Sequence, residues 1–196
     1  EVAHNVEKAV AELRGQNPNV KIERVVNNIV QVQNNFDGSM SMLYEGAFLA
    51  VVVVYFFLRE WRSTLVAASA LPLSIIPTFI GIYLFGYSLN TVTLMSLTLV
   101  VGVLVDDAIV EIENIERHLR MGKSPYEAAM EAADEIGLAV LATTFALVSV
   151  FFPMAFMGGI VGLFFKQFAW TAVISILFSL LVARLVTRMM AAYLMA

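Results

Sequence analysis

The sequence predicts an all-α polytopic membrane bundle of about five transmembrane helices, preceded by a small α+β extramembrane segment. Three observations carry that expectation. The 196 residues are 60% hydrophobic and 14% charged, with a mean hydropathy of +0.81, whereas soluble domains run at about 45–50% apolar and about 25% charged. The apolar residues are gathered into long continuous runs, and a helix needs about 20 of them to cross hydrocarbon. No run alternates in segments of about ten as barrel strands do. A lipid-embedded backbone must therefore satisfy its hydrogen bonds within each segment, as a helix does.

The same composition removes other classes. With no cysteine, disulfide frameworks, thiolate catalysis and cysteine-based metal sites are all absent. The net charge is −4, and no basic run interleaved with aromatics follows a phosphate backbone, so nucleic acid is not an expected partner. The chain opens at Glu1 without an initiator Met or a basic leader, which reads as a fragment of something longer.

Residues 1–40 are polar. Val2, Val6, Ala9, Val10 and Leu13 recur at helical spacing until Gly15 and Asn17-Pro18-Asn19 end the pattern. Val20 and Ile22 then alternate with Lys21 and Glu23 as in a short strand. So small a piece buries no core of its own and reads as the end of an incomplete domain. From Ser41 onward the apolar runs begin, with helices expected over about 41–58, 64–87, 89–116, 138–159 and 167–187. Pro72 and Pro77 fall inside the second and are expected as local kinks, since a bundle can re-satisfy the freed carbonyls. Ser124-Pro125-Tyr126-Glu127 combines an N-cap, a proline at the first helical position and a capping-box acid. It should open a short cytoplasmic helix over 125–136, with Gly137 as a stop or bend.

Orientation follows from the basic residues. Arg59, Arg62, Arg117, Arg120, Lys123, Arg184 and Arg188 fall on one side, against Lys166 in the short loops of the other. By the positive-inside rule the polar N-terminal segment lies outside the cytoplasm and the C-terminus inside. Trp61 and Trp170 fall near opposite faces, as interfacial anchors do.

The chemistry concentrates in Asp106 and Asp107, adjacent carboxylates within an otherwise apolar run. Each costs about 2.5–3.5 kcal/mol at the centre of a membrane helix, and the two repel. Neighbours on a helix point about 100° apart, so one solvated stripe cannot accommodate both. Burial and repulsion disfavour the charged forms while a nearby cation favours them, a balance suited to loading and unloading a proton; the alternative is that the pair ends the helix at the cytoplasmic interface, where Glu111, Glu113 and Glu116 follow. No Lys or Arg in the same run can neutralise the two aspartates, so a partner cation is expected from a helix outside this chain. Glu45 is a second intramembrane acid, about one turn into the first run, and a candidate accessory group. Glu111 and Glu113 read as a solvated helix end, Lys166 and Arg184 as interfacial or snorkelling side chains, and His4 and His118 as isolated. No catalytic, cofactor-binding or metal-ligating set emerges.

The run Val101–Arg117, VGVLVDDAIVEIENIER, resembles the fourth transmembrane helix of the resistance–nodulation–division transporters. The flanks agree: Phe85-Gly86-Tyr87-Ser88-Leu89-Asn90-Thr91 before it, Phe152-Pro153-Met154-Ala155-Phe156-Met157-Gly158-Gly159 after it, and Tyr55-Phe56-Phe57-Leu58-Arg59 at the end of the second helix. The similarity covers about residues 20–196. It implies helices two to six of a twelve-helix protomer, preceded over 1–40 by the end of a periplasmic porter domain. The double Asp resembles the hydrophobe/amphiphile, multidrug branch, since metal-exporting relatives commonly carry one Asp there. On that resemblance Asp106 and Asp107 are the proton relay, engaging a Lys in the missing second half of the protomer, and Glu45 matches an acid frequent in the second helix. A homotrimer in the bacterial inner membrane, joined to a periplasmic adaptor and an outer-membrane channel, is the implied assembly. Two positions depart from the pattern: Arg188 stands where relatives usually have Pro, and Glu111 where an apolar residue is common.

Two other readings compete. An intramembrane aspartyl protease needs two Asp on different helices, and these are adjacent on one. A sterol- or lipid-sensing module of related fold would have a lipid ligand as its signature.

Overall fold

The computed structural model describes residues 2–16 and 29–194, all of them in helices or short connections. The expected α+β character of the N-terminal segment is not seen: no strand occurs among the described residues, and the strand expected at 20–23 lies outside them. The chain divides into two units, residues 1–38 and 39–196. The first holds α1 (Val2–Gln16), on which Val6 and Leu13 are exposed, and the beginning of α2 (Ile29–Leu58).

The second unit contains the rest of α2, then α3 (Trp61–Leu84), α4 (Thr91–Arg120) and α5 (Pro125–Phe151). A 3₁₀ turn over Phe152–Phe156 leads to α6 (Gly159–Val182), which continues through a π turn (Ala183–Thr187) into α7 (Arg188–Leu194). Five of these rods are long and apolar enough to cross a membrane. At 1.5 Å per residue, the 30 residues of α2 extend about 45 Å, more than the roughly 30 Å of hydrocarbon. The first helix therefore begins well before Ser41.

Local chemistry sets the boundaries. Only Arg59 and Glu60 separate α2 from α3, and Arg59 takes a positive φ of 51° to reverse the chain. Pro72 and Pro77 lie within an unbroken α3. Asn90 caps α4: its side-chain oxygen accepts from the Val92 and Thr93 amides at 2.9 and 3.1 Å, and its own amide donates to Thr93 Oγ1 at 2.9 Å. The capping box read at Ser124 is formed with Glu127. Two expectations are corrected here. Residues 125–136 are not a separate helix but the first three turns of α5, which continues through Gly137 without a stop. Lys166 sits within α6 rather than in a loop, because Pro153 and the positive φ of Gly159 complete the chain reversal earlier.

α6 is the central rod, packing against α3, α4 and α5. Among its buried positions Gly162, Ala169, Thr171, Ala172, Ser175 and Ser179 are small, beside the larger Val173, Ile174, Ile176 and Val182. Without a hydrophobic force between helices in lipid, small residues allow the close approach on which packing depends. Gly81 of α3 completes one such contact, since a Cβ built there would stand 2.7 Å from Ile174 Cγ2. The β-branched Ile174 has little freedom to yield. Gly81→Ala should therefore destabilise the full-length protein by about 1–3 kcal/mol, read as a lower thermal midpoint in detergent; an unchanged midpoint would show that the helices separate freely. Aromatics pack where α3 and α5 end, with the Trp170 ring 4.9 Å from that of Phe85 and 6.0 Å from that of Phe152.

Candidate functional site

α4 and α6 run parallel, and polar contacts join them along their length. Asn90 Nδ2 donates to Gln167 Oε1 at 2.8 Å, and Ser96 Oγ to the Phe168 carbonyl at 2.8 Å. Ser179 Oγ lies 3.1 Å from both the Leu104 carbonyl and Asp107 Oδ2; its single proton serves one acceptor at a time or is shared. Farther on, Arg188 Nε donates to Glu111 Oε1 at 2.9 Å. Each contact joins residues 72 to 77 positions apart, and this near-constant offset is what a parallel pair requires.

The two aspartates have different surroundings. Asp107 is half-buried against Ser179, beside a core where Ala108 meets Ala70 of α3 and Val182 of α6. Asp106 faces away from that core. It lies on an uncovered stripe of α4 formed by Met95, Leu99, Gly102, Asp106, Val110, Glu113 and Arg117. The spacing of three and four keeps these residues on one face. Asp106 stands 15 positions after Thr91, about 22 Å along the helix axis. An added Cβ at Gly102, one turn before it, would meet nothing within 4 Å. No Lys or Arg among the described residues forms an ion pair with either aspartate.

Glu111 overturns its reading as part of a solvated helix end. It is wholly buried, with Arg188 on one oxygen and Arg184 Nη1 3.8 Å from the other. Arg184 is correspondingly not a snorkelling side chain: it also donates to the Ala133 carbonyl of α5 at 2.9 Å. The two positions singled out as departures from the family pattern, Glu111 and Arg188, are thus each other's partners. Glu113, by contrast, is exposed.

His118 is not isolated either. It is buried, Lys123 Nζ donates to its Nδ1 at 2.8 Å, and its Nε2 stands 2.9 Å from Glu135 Oε2. An ammonium can only donate, so Nδ1 accepts and Nε2–H is the donor to Glu135. Arg117 also pairs with Glu135, and Asn114 Nδ2 donates to the Ala132 carbonyl at 2.9 Å. These bonds dock the first turns of α5 onto α4. Glu45 is exposed on α2, accepting from Ser41 Oγ at 2.9 Å; no contact brings it to the aspartates. His4 carries no described side chain.

The sequence reading missed Ser179, since a serine in an apolar helix gives no sign of its partner, and missed the Glu111 pairing. The available signal for the latter was two arginines entering an otherwise apolar last span.

The whole chain, residues 1–196, matches the model of the AcrB/AcrD/AcrF family. The chain belongs to that family. It is 48% identical over 147 residues to the multidrug resistance protein MdtC of Photorhabdus laumondii, covering 75% of this chain and 14% of the relative. The MdtC of Pantoea ananatis is 46% identical with the same coverage. That of Pectobacterium atrosepticum is 38% identical over 192 residues, 97% of this chain and 19% of the relative. The resemblance to resistance–nodulation–division transporters is therefore borne out, and the chain spans less than a fifth of the length of these relatives. They are named for multidrug resistance rather than for a catalysed reaction.

Proposed function

We propose that this chain is the first-half membrane block of a proton-driven multidrug efflux transporter, with Asp106 and Asp107 as its proton relay. The observation that carries the reading is the position of Asp106, exposed within a membrane-length helix on a face that the described residues leave open at that point. A carboxylate so placed needs water, a proton or a cation, and a second membrane block supplying a Lys would meet it there. Asp107, held by Ser179, ties the same charge state to the position of α6. Proton entry would discharge the pair, release the cation and let the helices shift. One elementary charge crossing 100 mV yields about 2.3 kcal/mol, enough for repeated cycles to drive export uphill.

On this reading the N-terminal segment, residues 1–40, is the end of a periplasmic porter domain and the C-terminus is cytoplasmic. The full protomer forms a homotrimer in the inner membrane with an adaptor and an outer-membrane channel. Glu45 is an accessory acid on the path from the outer side. The full-length protein reconstituted in liposomes should move a fluorescent dye only when a proton gradient is imposed. Dye movement indifferent to that gradient would remove the reading.

A further inference from the structure

We infer that Glu111, Arg184 and Arg188 form an ionic clamp that positions α6 on the relay helix, holding the Ser179 hydroxyl on Asp107. The inference rests on the relay reading above.

The geometry begins on α4. Glu111 follows Asp107 by four residues, about 40° around the helix, whereas it lies about 140° from Asp106. It therefore shares the side of α4 that faces α6 rather than the uncovered stripe. Its carboxylate has no exposure at all, and a charge so enclosed persists only with partners. Arg188 supplies one at 2.9 Å and Arg184 a second at 3.8 Å. Arg184 extends the tie to α5 through the Ala133 carbonyl. Gly137 of α5 makes the room: a Cβ there would stand 2.5 Å from Arg184 Nη2. One carboxylate thus fastens α4, α5 and the end of the α6 rod together.

The π turn over Ala183–Thr187 gives the clamp its register. Ser179 and Arg188 both reach α4, yet they are nine residues apart. In an unbroken α-helix nine residues rotate by about 900°, which would put the two on opposite sides. The extra residue of a π turn removes about one residue's rotation and brings them to within about 80°. The long arginine side chain, directed back along its helix, covers the remainder. The turn thus lies between the two contacts it reconciles. Glu111 and Arg188 touch neither the proton nor Asp106; they act through α6 and are positioning residues.

The experiment uses the full-length protein, with dye efflux compared at matched membrane levels. Spin labels at Arg120, exposed at the end of α4 and beyond the Asp106 stripe, and at the exposed Leu185 report the distance between α4 and the end of the α6 rod. Glu111→Gln should lower efflux about tenfold or more, as misplacement of a reacting group does, and broaden that distance. The reciprocal exchange, Glu111→Arg with Arg188→Glu, should recover most of the efflux and the narrow distance, which loss of a merely structural charge would not predict. Wild-type efflux by Glu111→Gln overturns the clamp. If Glu111→Gln does not reach the membrane, Gly137→Leu, which displaces the Arg184 guanidinium without removing a charge, decides: unchanged efflux overturns the clamp, and reduced efflux with a broadened distance supports it. Asp106→Asn and Asp107→Asn run alongside. If they too export normally the relay reading has failed, whereas inactive aspartate variants beside a fully active Glu111→Gln mean that only the clamp has.

Discussion

Asp106→Asn and Asp107→Asn, each made in the full-length protein, should reduce dye efflux to the background of cells lacking the pump while membrane levels stay unchanged. The two substitutions reach this result by different routes. At Asp106 the side chain lies on the open stripe of α4, so asparagine removes a charge without disturbing any packing within this block. At Asp107 the amide oxygen can still accept from Ser179, which holds the aspartate at 3.1 Å, so the contact with α6 survives while the charge does not. Neither change should impair insertion, because a carboxylate costs about 2.5–3.5 kcal/mol at the centre of a membrane helix and its removal lightens that burden. Lost transport at normal abundance therefore reports lost charge. Ser179→Ala should fall between, weakening efflux while keeping both charges. Efflux assays set against immunoblots of the membrane fraction check all three. An aspartate variant that pumps like the wild type would remove that residue from the relay.

The second large effect is on stability. Replacing Arg184 and Arg188 together by leucine leaves Glu111 wholly buried with neither of its cations. Orphaning a buried charge costs about 3–5 kcal/mol, a large part of the 5–15 kcal/mol typical of a folded protein. The full-length double variant should accumulate poorly and melt early in detergent. Adding Glu111→Val should restore most of the stability, since replacing a complete buried ion cluster by apolar side chains is often neutral. Efflux should not return with it, because the apolar triple variant has no clamp to set the register of α6. A double variant as stable as the wild type would show that water reaches Glu111.

Much of the architecture was legible in composition and pattern alone. Membrane helices announce themselves through one requirement, about 20 apolar residues in succession, and five such helices are present. The capping box at Ser124 was equally readable, because its partners lie three residues apart and need nothing from the rest of the fold. The aspartate pair stood out because its cost in an apolar run is local too. The boundaries were less legible. Lys166 looked like a loop residue, but a long helix can carry a lysine in its second turn when the chain has already reversed at Gly158 and Gly159. Residues 125–136 looked like a separate helix because their surface is polar; they are the start of one helix with the next span, and Asn114, Arg117 and His118 of α4 supply the partners for that polar surface.

By itself the sequence determined the class, the helix count and the location of the unusual charges, since each depends on the transfer of a residue between water and lipid, a property of the residue and its near neighbours. Only the tertiary structure decided which charges are paired. It took Glu111 from a solvated end to the buried centre of two guanidiniums, gave Asp107 a hydroxyl from a helix 72 residues away and left Asp106 open. The physical reason is rotation: partners on separate helices meet only when both turn the right faces together. A π turn between Ser179 and Arg188 changes that phase by about one residue, and no local pattern in the sequence records it.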